Sequence, residues 1–540
     1  MRIDRAVTPK RRYCFDPAIR SEARNLSPYA PTVFRHAVRG MIWPLLGKAP
    51  MRVQTVRQIL FLLVLSIPLG FVASTARASV EISTKPTKNM SCAGGVCTAT
   101  AKNAVLNVND LIGMLASGDV TVQSGSLAQD IEIDAALSWA SASRLTLDSF
   151  HAIAFDRPVA VAGTGALTIT TNDGGTGGDF SFSGKGHVEF WDLTSSLVIN
   201  GDSYTLAKKL NGLREAIEGS AMPLVALAHS YNAQNEHAHG RPPLTMVRNG
   251  TVEGLGNVIS NLSIDDPQSG GIVGLFSDNR GTIRDLGVTD ETVSGMGKKS
   301  DVGGLAGWNE GTIQNCYTTG TVSTTGFDIG GLAGNNDGII IHSHSAAAVT
   351  GGYTSGGLAG FSDDDGIILT SYATGAVSGG SYVGGLVGLN RGAISASFAT
   401  GAVTHGLLGA AGGLVDDNQG VIANSYASGG GELGGGLIGV NEGSGVTSSY
   451  STGFVGNNGG GFVFRDDNQT ISSSYWDLDT SGVSDPGQGA GNIANDPGIT
   501  GLTDAQLKSA LPSGFDPAIW GQSPSINNGY PYLLANPPPG

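Results

Sequence analysis

The chain is 540 residues long, 83 of them glycine, with only 14% charged residues and a formal net charge of −14. That composition is too apolar for a disordered chain, has no collagen period, and carries the wrong sign for a nucleic-acid binder. Small residues with sparse charge suit short strands joined by tight turns.

The charge is uneven along the chain. Residues 1–78 hold 13 of the 31 Lys and Arg but 3 of the 45 Asp and Glu, which leaves 18 positive against 42 negative charges, a net of −24, for the remainder. The boundary coincides with "MRVQTVRQILFLLVLSIPLGFVASTARAS". Arg52 and Arg57 precede an apolar core from Ile59 to Ala73, and Ala76-Arg77-Ala78 follows. A basic start, a short apolar core and small residues at a cleavage site form a secretory signal peptide over 51–78, cut between Ala78 and Ser79; an uncleaved anchor is the alternative. The core is short for a bilayer span, so no stable transmembrane segment is expected once the signal is removed. Residues 1–50 are a basic upstream extension with no core-forming period. They are read as unstructured or as a start assigned too early, with an extended signal region as the other reading.

Cysteine usage agrees with export. Cys92 and Cys97 bracket "CAGGVC", whose two glycines let the chain double back, so a disulfide is expected in an oxidising compartment. Cys316 stands where neighbouring repeats have Ser371, Ser397 and Ser425, and reads as a buried small residue.

Residues 79–200 contain short alternating runs such as "DIEIDA", "RLTLDSF" and "HVEFWD", the period-two pattern of half-buried strands. Over 203–217, Leu206, Leu210, Leu213 and Ile217 follow helical spacing and predict one short amphipathic helix. The rest of 201–250 is polar; His229, His237 and His239 lack an HExxH or a carboxylate cluster and read as loop residues.

Repeats fill 251–477. The apolar residue after the paired glycines falls at Ile272, Leu305, Leu332, Leu358, Leu386, Leu414, Leu437 and Phe462, with successive gaps of 33, 27, 26, 28, 28, 23 and 25. A second anchor recurs at Ile283, Ile313, Ile340, Ile368, Ile394, Ile422, Val446 and Ile471, and a large ring at Tyr317, His344, Tyr372, Phe398, Tyr426, Tyr450 and Tyr475. Asn279, Asn309, Asn336, Asn390, Asn418, Asn441 and Asn468 form a further column, suited to a left-handed turn or to an amide ladder. Glycine and β-branched residues rule out helical repeats. The fold expected is all-β: a parallel β-helix (β-solenoid) of about eight such coils, because one coil cannot bury its apolar face alone. The paired glycines are expected to make a sharp corner or a positive-φ turn.

"VGGLVGLNRGAISASFATGAVT" resembles the GLUG motif of large secreted bacterial surface proteins, and the stretch from Cys92 to about 200 resembles the rungs of filamentous-haemagglutinin-like adhesins. "YWDLDTSG" and the residues after Gly501 look like the closing segment of such arrays, here 478–540. The resemblance implies a protein secreted or held at the outer surface of a bacterium, adhesin-like and non-catalytic, whose partners are host or matrix glycans or proteins. Some arrays of this kind accompany a metallopeptidase that cleaves immunoglobulins; the HExxH helix which that activity needs does not occur in this sequence. The alternative is a carbohydrate-active β-helix enzyme, a polysaccharide lyase or hydrolase with paired carboxylates on one face. The acidic turns "SDDDG", "VDDNQ" and "RDDNQ" supply candidates: Asp364, Asp365, Asp416, Asp417, Asp466 and Asp467, together with Asp363. They read as a solvated edge, with calcium as the cation that clustered carboxylates would hold and catalysis as a further alternative. No catalytic residue and no cofactor other than calcium is assigned.

Overall fold

The computed structural model describes residues 78–236, 238–267, 271–297, 300–404, 411–430, 434–455 and 459–539. The upstream extension and the signal region up to Arg77 lie outside them, as does His237; the first strand, Ser79–Ser83, begins beside Ala78.

Each repeat coil is built from the same local rules. Strand Asp301–Gly303 ends at a glycine pair, Ala306–Asn309 and Thr312–Gln314 form the next face, and Tyr317–Thr324 forms the third. All three faces pair in parallel with the following coil: Val302 with Ile329, Ala306 with Ala333 and Ile313 with Ile340, and Tyr317 with His344. The pairing continues unshifted to Val446 and Ile471. This is the expected parallel β-solenoid.

The glycine pair works through close approach, not positive φ. A Cβ on Gly384 would stand 2.0 Å from the Val387 carbonyl oxygen, and one on Gly385 would stand 3.0 Å from the Ala399 Cβ across the interior. Positive φ falls elsewhere, one residue past the strand of the second anchor: Asn315, His342, Thr370, Ala396, Asn424, Ser448 and Ser473 have φ of 52°, 49°, 44°, 49°, 49°, 50° and 47°. Non-glycine residues rarely adopt this conformation. Here the next residue secures it. Ser371 Oγ donates to the Leu369 carbonyl at 2.7 Å and accepts from Ser343 N at 3.2 Å; Ser397 and Ser425 repeat both bonds. Cys316 ends this serine ladder, its amide donating to Ser343 Oγ at 3.1 Å.

The Leu and Ile columns are fully buried, with one correction: Leu275, not the half-exposed Ile272, is the first inward anchor, because Phe276 pairs with Ala306. The Asn column is an internal amide ladder. Asn279 Nδ2 donates to Asn309 Oδ1 at 2.7 Å and Asn309 to Asn336 at 2.8 Å; Asn390, Asn418 and Asn441 continue it, and Asp466 Oδ1 accepts the last bond at 2.9 Å. Asp466, rather than Asn468, therefore holds the last place; Asn468 is exposed and donates to the Glu442 carbonyl. The ladder is broken at Ser362. Asn336 Nδ2, Ser362 Oγ and Asn390 Oδ1 are buried there without hydrogen-bond partners.

Residues 79–200 form three-faced parallel rungs as well. Ile131 pairs with Ile153, Val159 with Val188, and Leu167 with Leu145. Cys92 and Cys97 are disulfide-bonded across an antiparallel hairpin. Helix α1, Val108–Leu115, is capped by Asn107 and buries Val108, Leu111 and Leu115. It packs on Leu137–Trp139, the outermost strand of its face, and so covers an open edge. A short helix, α2, follows at Gly125–Ala128. The helix predicted for 203–217 is strand Asp202–Ala207 followed by α3, Leu210–Glu218. Asn200 and Gly201, both at positive φ, close a tight hairpin that commits residues 202–207 to pairing with Ser196–Ile199 and with Leu224–Leu227. Leu206 then shares the helical spacing by coincidence. Residues 201–250 hold rung strands in addition to the helix, since Leu244–Glu253 pairs with Phe276–Arg284.

After the last coil, strand Ile499–Leu502 pairs with Ser474–Asp477, and α4, Asp504–Ser509, starts at a Thr503–Gln506 capping box. The chain then folds along the side of the aromatic column, where Leu507, Phe515, Trp520 and Leu533 cover Phe398, Tyr426, Tyr450 and Tyr475.

Two measurements test this packing. Leu386→Ala, in a fully buried column, should cost about 2–5 kcal/mol, whereas Leu389→Ala, half-exposed one turn later, should cost much less in denaturant titration. Ser362→Asn should rejoin the amide ladder and raise stability by about 1–3 kcal/mol, because Asn336 Nδ2 and Asn390 Oδ1 gain partners and the unpartnered serine hydroxyl is removed; a melting temperature equal to the parent's would show that the gap is already satisfied.

Candidate functional site

The six acidic candidates do not converge. Asp364, Asp365 and Asp467 are exposed, while Asp416, Asp417 and Asp466 are buried. Asp417 pairs in register with Leu389 and Val440, one strand position away from the column of Asp466, which aligns with Asn441. Asp416 Oδ2 accepts from Val383 N at 3.1 Å, Asp417 Oδ2 accepts from Gln419 Nε2 at 3.1 Å, and Asp467 pairs with Arg465 at 3.0 Å. Burial pushes Asp416 well above the usual carboxylate range and Asp417 up to about 6. The common ridge expected from the sequence is split because one position along a strand turns a side chain from solvent to interior. Among the described residues, no group of three or more His, Cys, Asp or Glu side chains is placed to hold a metal ion.

The structure brings other carboxylates together. Asp301 and Asp328 open consecutive coils one residue before the paired Val302 and Ile329, so they sit side by side on adjacent rungs. Burial, with the neighbouring Asp328 charge, pushes Asp301 up to about 8; burial pushes Asp328 up to about 6. The recurrence of Asp before x-Gly-Gly in "DVGG" and "DIGG" was the sequence signal for this pair.

A second cluster joins the N-terminal rungs to the repeat coils. Arg284 pairs with Asp285 at 2.6 Å, Asp179 at 3.0 Å and Glu253 at 3.3 Å, and its guanidinium lies 4.2 Å from the centre of the Phe180 ring. Gln314 also donates to Asp179, at 3.1 Å. One half-buried cation facing three carboxylates, with Glu253 pushed well up by burial and by Asp285, reads as a structural clamp.

Glu291 is a different case. It is 1% exposed, both its carboxyl oxygens lack hydrogen-bond partners, and Oε1 lies 2.0 Å from where a Cβ on Gly304 would stand. Burial alone pushes it well above the carboxylate range.

The longest side-chain array is the ring column. Tyr317, His344, Tyr372, Phe398, Tyr426 and Tyr450 stack with centroids 5.2, 4.5, 4.7, 4.8 and 5.0 Å apart and planes within 9°. Desolvation in this stack lowers His344 to about 4, so the imidazole is neutral at physiological pH. The sequence disclosed the column; that part of it is covered and part is not is a tertiary fact. The loop histidines take local partners: His229 stacks on Trp191 at 5.0 Å and His239 meets Glu236 at 3.1 Å.

Residues 300–323 match the GLUG motif. The chain is also 28% identical over 241 residues to halomucin of Haloquadratum walsbyi, a stretch covering 44% of this chain and 2% of that protein. The chain thus spans a small fraction of that relative's length. Among solved structures, it is similar to a candidate immunoglobulin A1 protease from Bacteroides ovatus, at 20% identity and a TM-score of 0.35 over 62% of this chain and 93% of that one. It is similar to an IgA1 protease at 17% identity and a TM-score of 0.32, over 54% of this chain and 23% of that one. No helix among the described residues is long and apolar enough to cross a membrane.

Glu291 gives a pH prediction. Its folded-state value is raised, so the folded chain holds a proton that the unfolded chain releases near the ordinary carboxylate value of about 4.3. Stability should therefore fall by up to about 1.4 kcal/mol per pH unit above that point until the folded carboxyl ionises. Glu291→Gln should remove this slope and gain stability relative to the parent more at pH 8 than at pH 4. Parallel pH profiles of the two proteins would contradict the assignment.

Proposed function

We propose that the exported chain is an adhesin-like, non-catalytic binding protein of the bacterial outer surface, with host or matrix glycans or proteins as its partners. The supporting observation is how the polar side chains are used. The Asn and Ser columns are consumed by their own ladders, and the acidic turns are split between interior and solvent. What remains for a partner is a long, regular outer surface laid out rung by rung, which suits contact with an extended polymer. The GLUG match and the Cys92–Cys97 disulfide agree with an exported protein.

The Asp301–Asp328 pair favours a second reading, a carbohydrate-active β-helix enzyme. Adjacent rungs are ~4.8 Å apart, near the ~5 Å carboxyl separation of retaining glycosidases. One raised and one less raised carboxyl would then be the acid and the nucleophile. Screening the exported chain against glycan and extracellular-matrix arrays, with product analysis of every glycan bound, separates the two. Saturable binding without product supports the binding role. Release of a reducing-end or unsaturated product that is lost in Asp301→Asn overturns it.

A further inference from the structure

The ring column is longer than the segment that covers it. Residues after Thr503 pack on Phe398, Tyr426, Tyr450 and Tyr475, with Tyr372 at the edge of that contact; Tyr317 and His344 lie outside it. The covering segment uses a fixed chemistry. Phe515 and Trp520 lie against the ring stack, with Trp520 at 5.8 Å from Tyr450 and Phe515 at 5.6 Å from Tyr475. Tyrosine hydroxyls donate to backbone carbonyls, Tyr450 to Pro531 at 2.6 Å and Tyr475 to Ser513 at 2.7 Å.

The opposite wall of this face is the last N-terminal rung, which reaches the same column of turns through Asp179 bonded to Arg284 and Gln314. From Gln314 to the covered Ser395 is three rung steps, ~14 Å at ~4.8 Å each. Between the walls, Asn315, Tyr317, Ile341 and His344 are half-exposed and His342 is exposed. Tyr317 and Tyr372 present the same kind of hydroxyl as Tyr450 and Tyr475, and neither hydroxyl has a hydrogen bond to a described residue.

We infer that this trough docks an extended polypeptide segment of a partner protein, one that carries an aromatic side chain and offers backbone carbonyls to the Tyr317 and Tyr372 hydroxyls, and so continues along the ring column the interface the chain already makes with its own residues 513–533. The width admits one extended chain. Desolvation lowers both imidazoles of the floor, His344 to about 4 and His342 below its ordinary value against the opposing Asp179 charge, so an uncharged segment loses little on docking at neutral pH. A flat sugar is a poorer fit, because the stack turns ring edges, not faces, to the solvent: both faces of His344 and Tyr372 are occupied by neighbouring rings, and the outer face of Tyr317 lies over Gly287. The inference narrows the partner class of the binding role proposed above and rests on it for biological setting only. The peptide titration below does not use the array screen, so either can fail while the other succeeds.

The test is calorimetric titration of a synthetic peptide of residues 513–533 into the full exported chain. The Tyr317→Phe, Tyr372→Phe double variant and Tyr450→Phe are titrated in parallel; both keep the ring stack and remove only hydroxyls. Saturable binding at one site is expected, unchanged between pH 7 and 8. The double variant should weaken it roughly tenfold, two hydrogen bonds' worth, and a peptide carrying Trp520→Ala should bind at least as weakly. Tyr450→Phe should leave it intact. Absence of binding to the parent overturns the inference. So does binding that is sensitive to Tyr450→Phe but not to the double variant, because the peptide would then be displacing the chain's own segment. Competition by a neutral oligosaccharide, lost in the double variant, would assign the trough to a glycan and equally overturn it.

Discussion

The structure depends on parallel stacking of like on like. Each residue of a repeat coil stands one interstrand spacing above its counterpart, so every column has to be made of side chains that can neighbour themselves. Leucine and isoleucine do so by burial, asparagine because its amide both donates and accepts, serine by accepting from the preceding rung's amide while donating to its own strand, and aromatic rings by stacking. A lone charged side chain inside the stack has no such solution. Carboxylates turned inward are accordingly pushed towards the protonated form, as at Asp416 and Glu291.

The exceptions show how the columns end and tolerate error. Asp466 closes the amide ladder because a carboxylate accepts but need not donate onward. Cys316 ends the serine ladder, its thiol lying 3.3 Å from the Gln314 carbonyl where serine would place a stronger donor. Ser362 is too short to bridge Asn336 and Asn390, and Glu291 enters the interior where the next coil has Gly320. Stability in a stack is a sum over rungs, so one imperfect rung is carried by its neighbours.

The sides of the stack matter as much as its interior. Helix α1 covers an open strand edge near the start of the described chain, the last N-terminal rung is clamped to the repeats through Arg284, and the closing segment lies along the rings from Phe398 to Tyr475. The neutral aromatic trough left between the last two is where surface unused by the fold concentrates.

The solenoid, the anchor columns and the ring column were legible in the sequence, because a period of 23 to 30 residues repeats each of these contacts and makes a local pattern report a long-range one. The asparagine ladder was legible for the same reason, although its last member was misplaced by two residues. What has no period was not legible. The strand at Asp202–Ala207 was set by the hairpin at Asn200 and Gly201 overriding helical spacing. The positive-φ column carries Asn, His, Thr, Ala and Ser, so no residue type marks it; only the curvature of the backbone does. The acidic pairs looked alike as dipeptides and were separated by which face each strand position turns inward. Tertiary structure alone decided that Arg284 meets Asp179 and how far the closing segment reaches along the rings, because these contacts join walls and termini whose relative placement no repeat unit encodes.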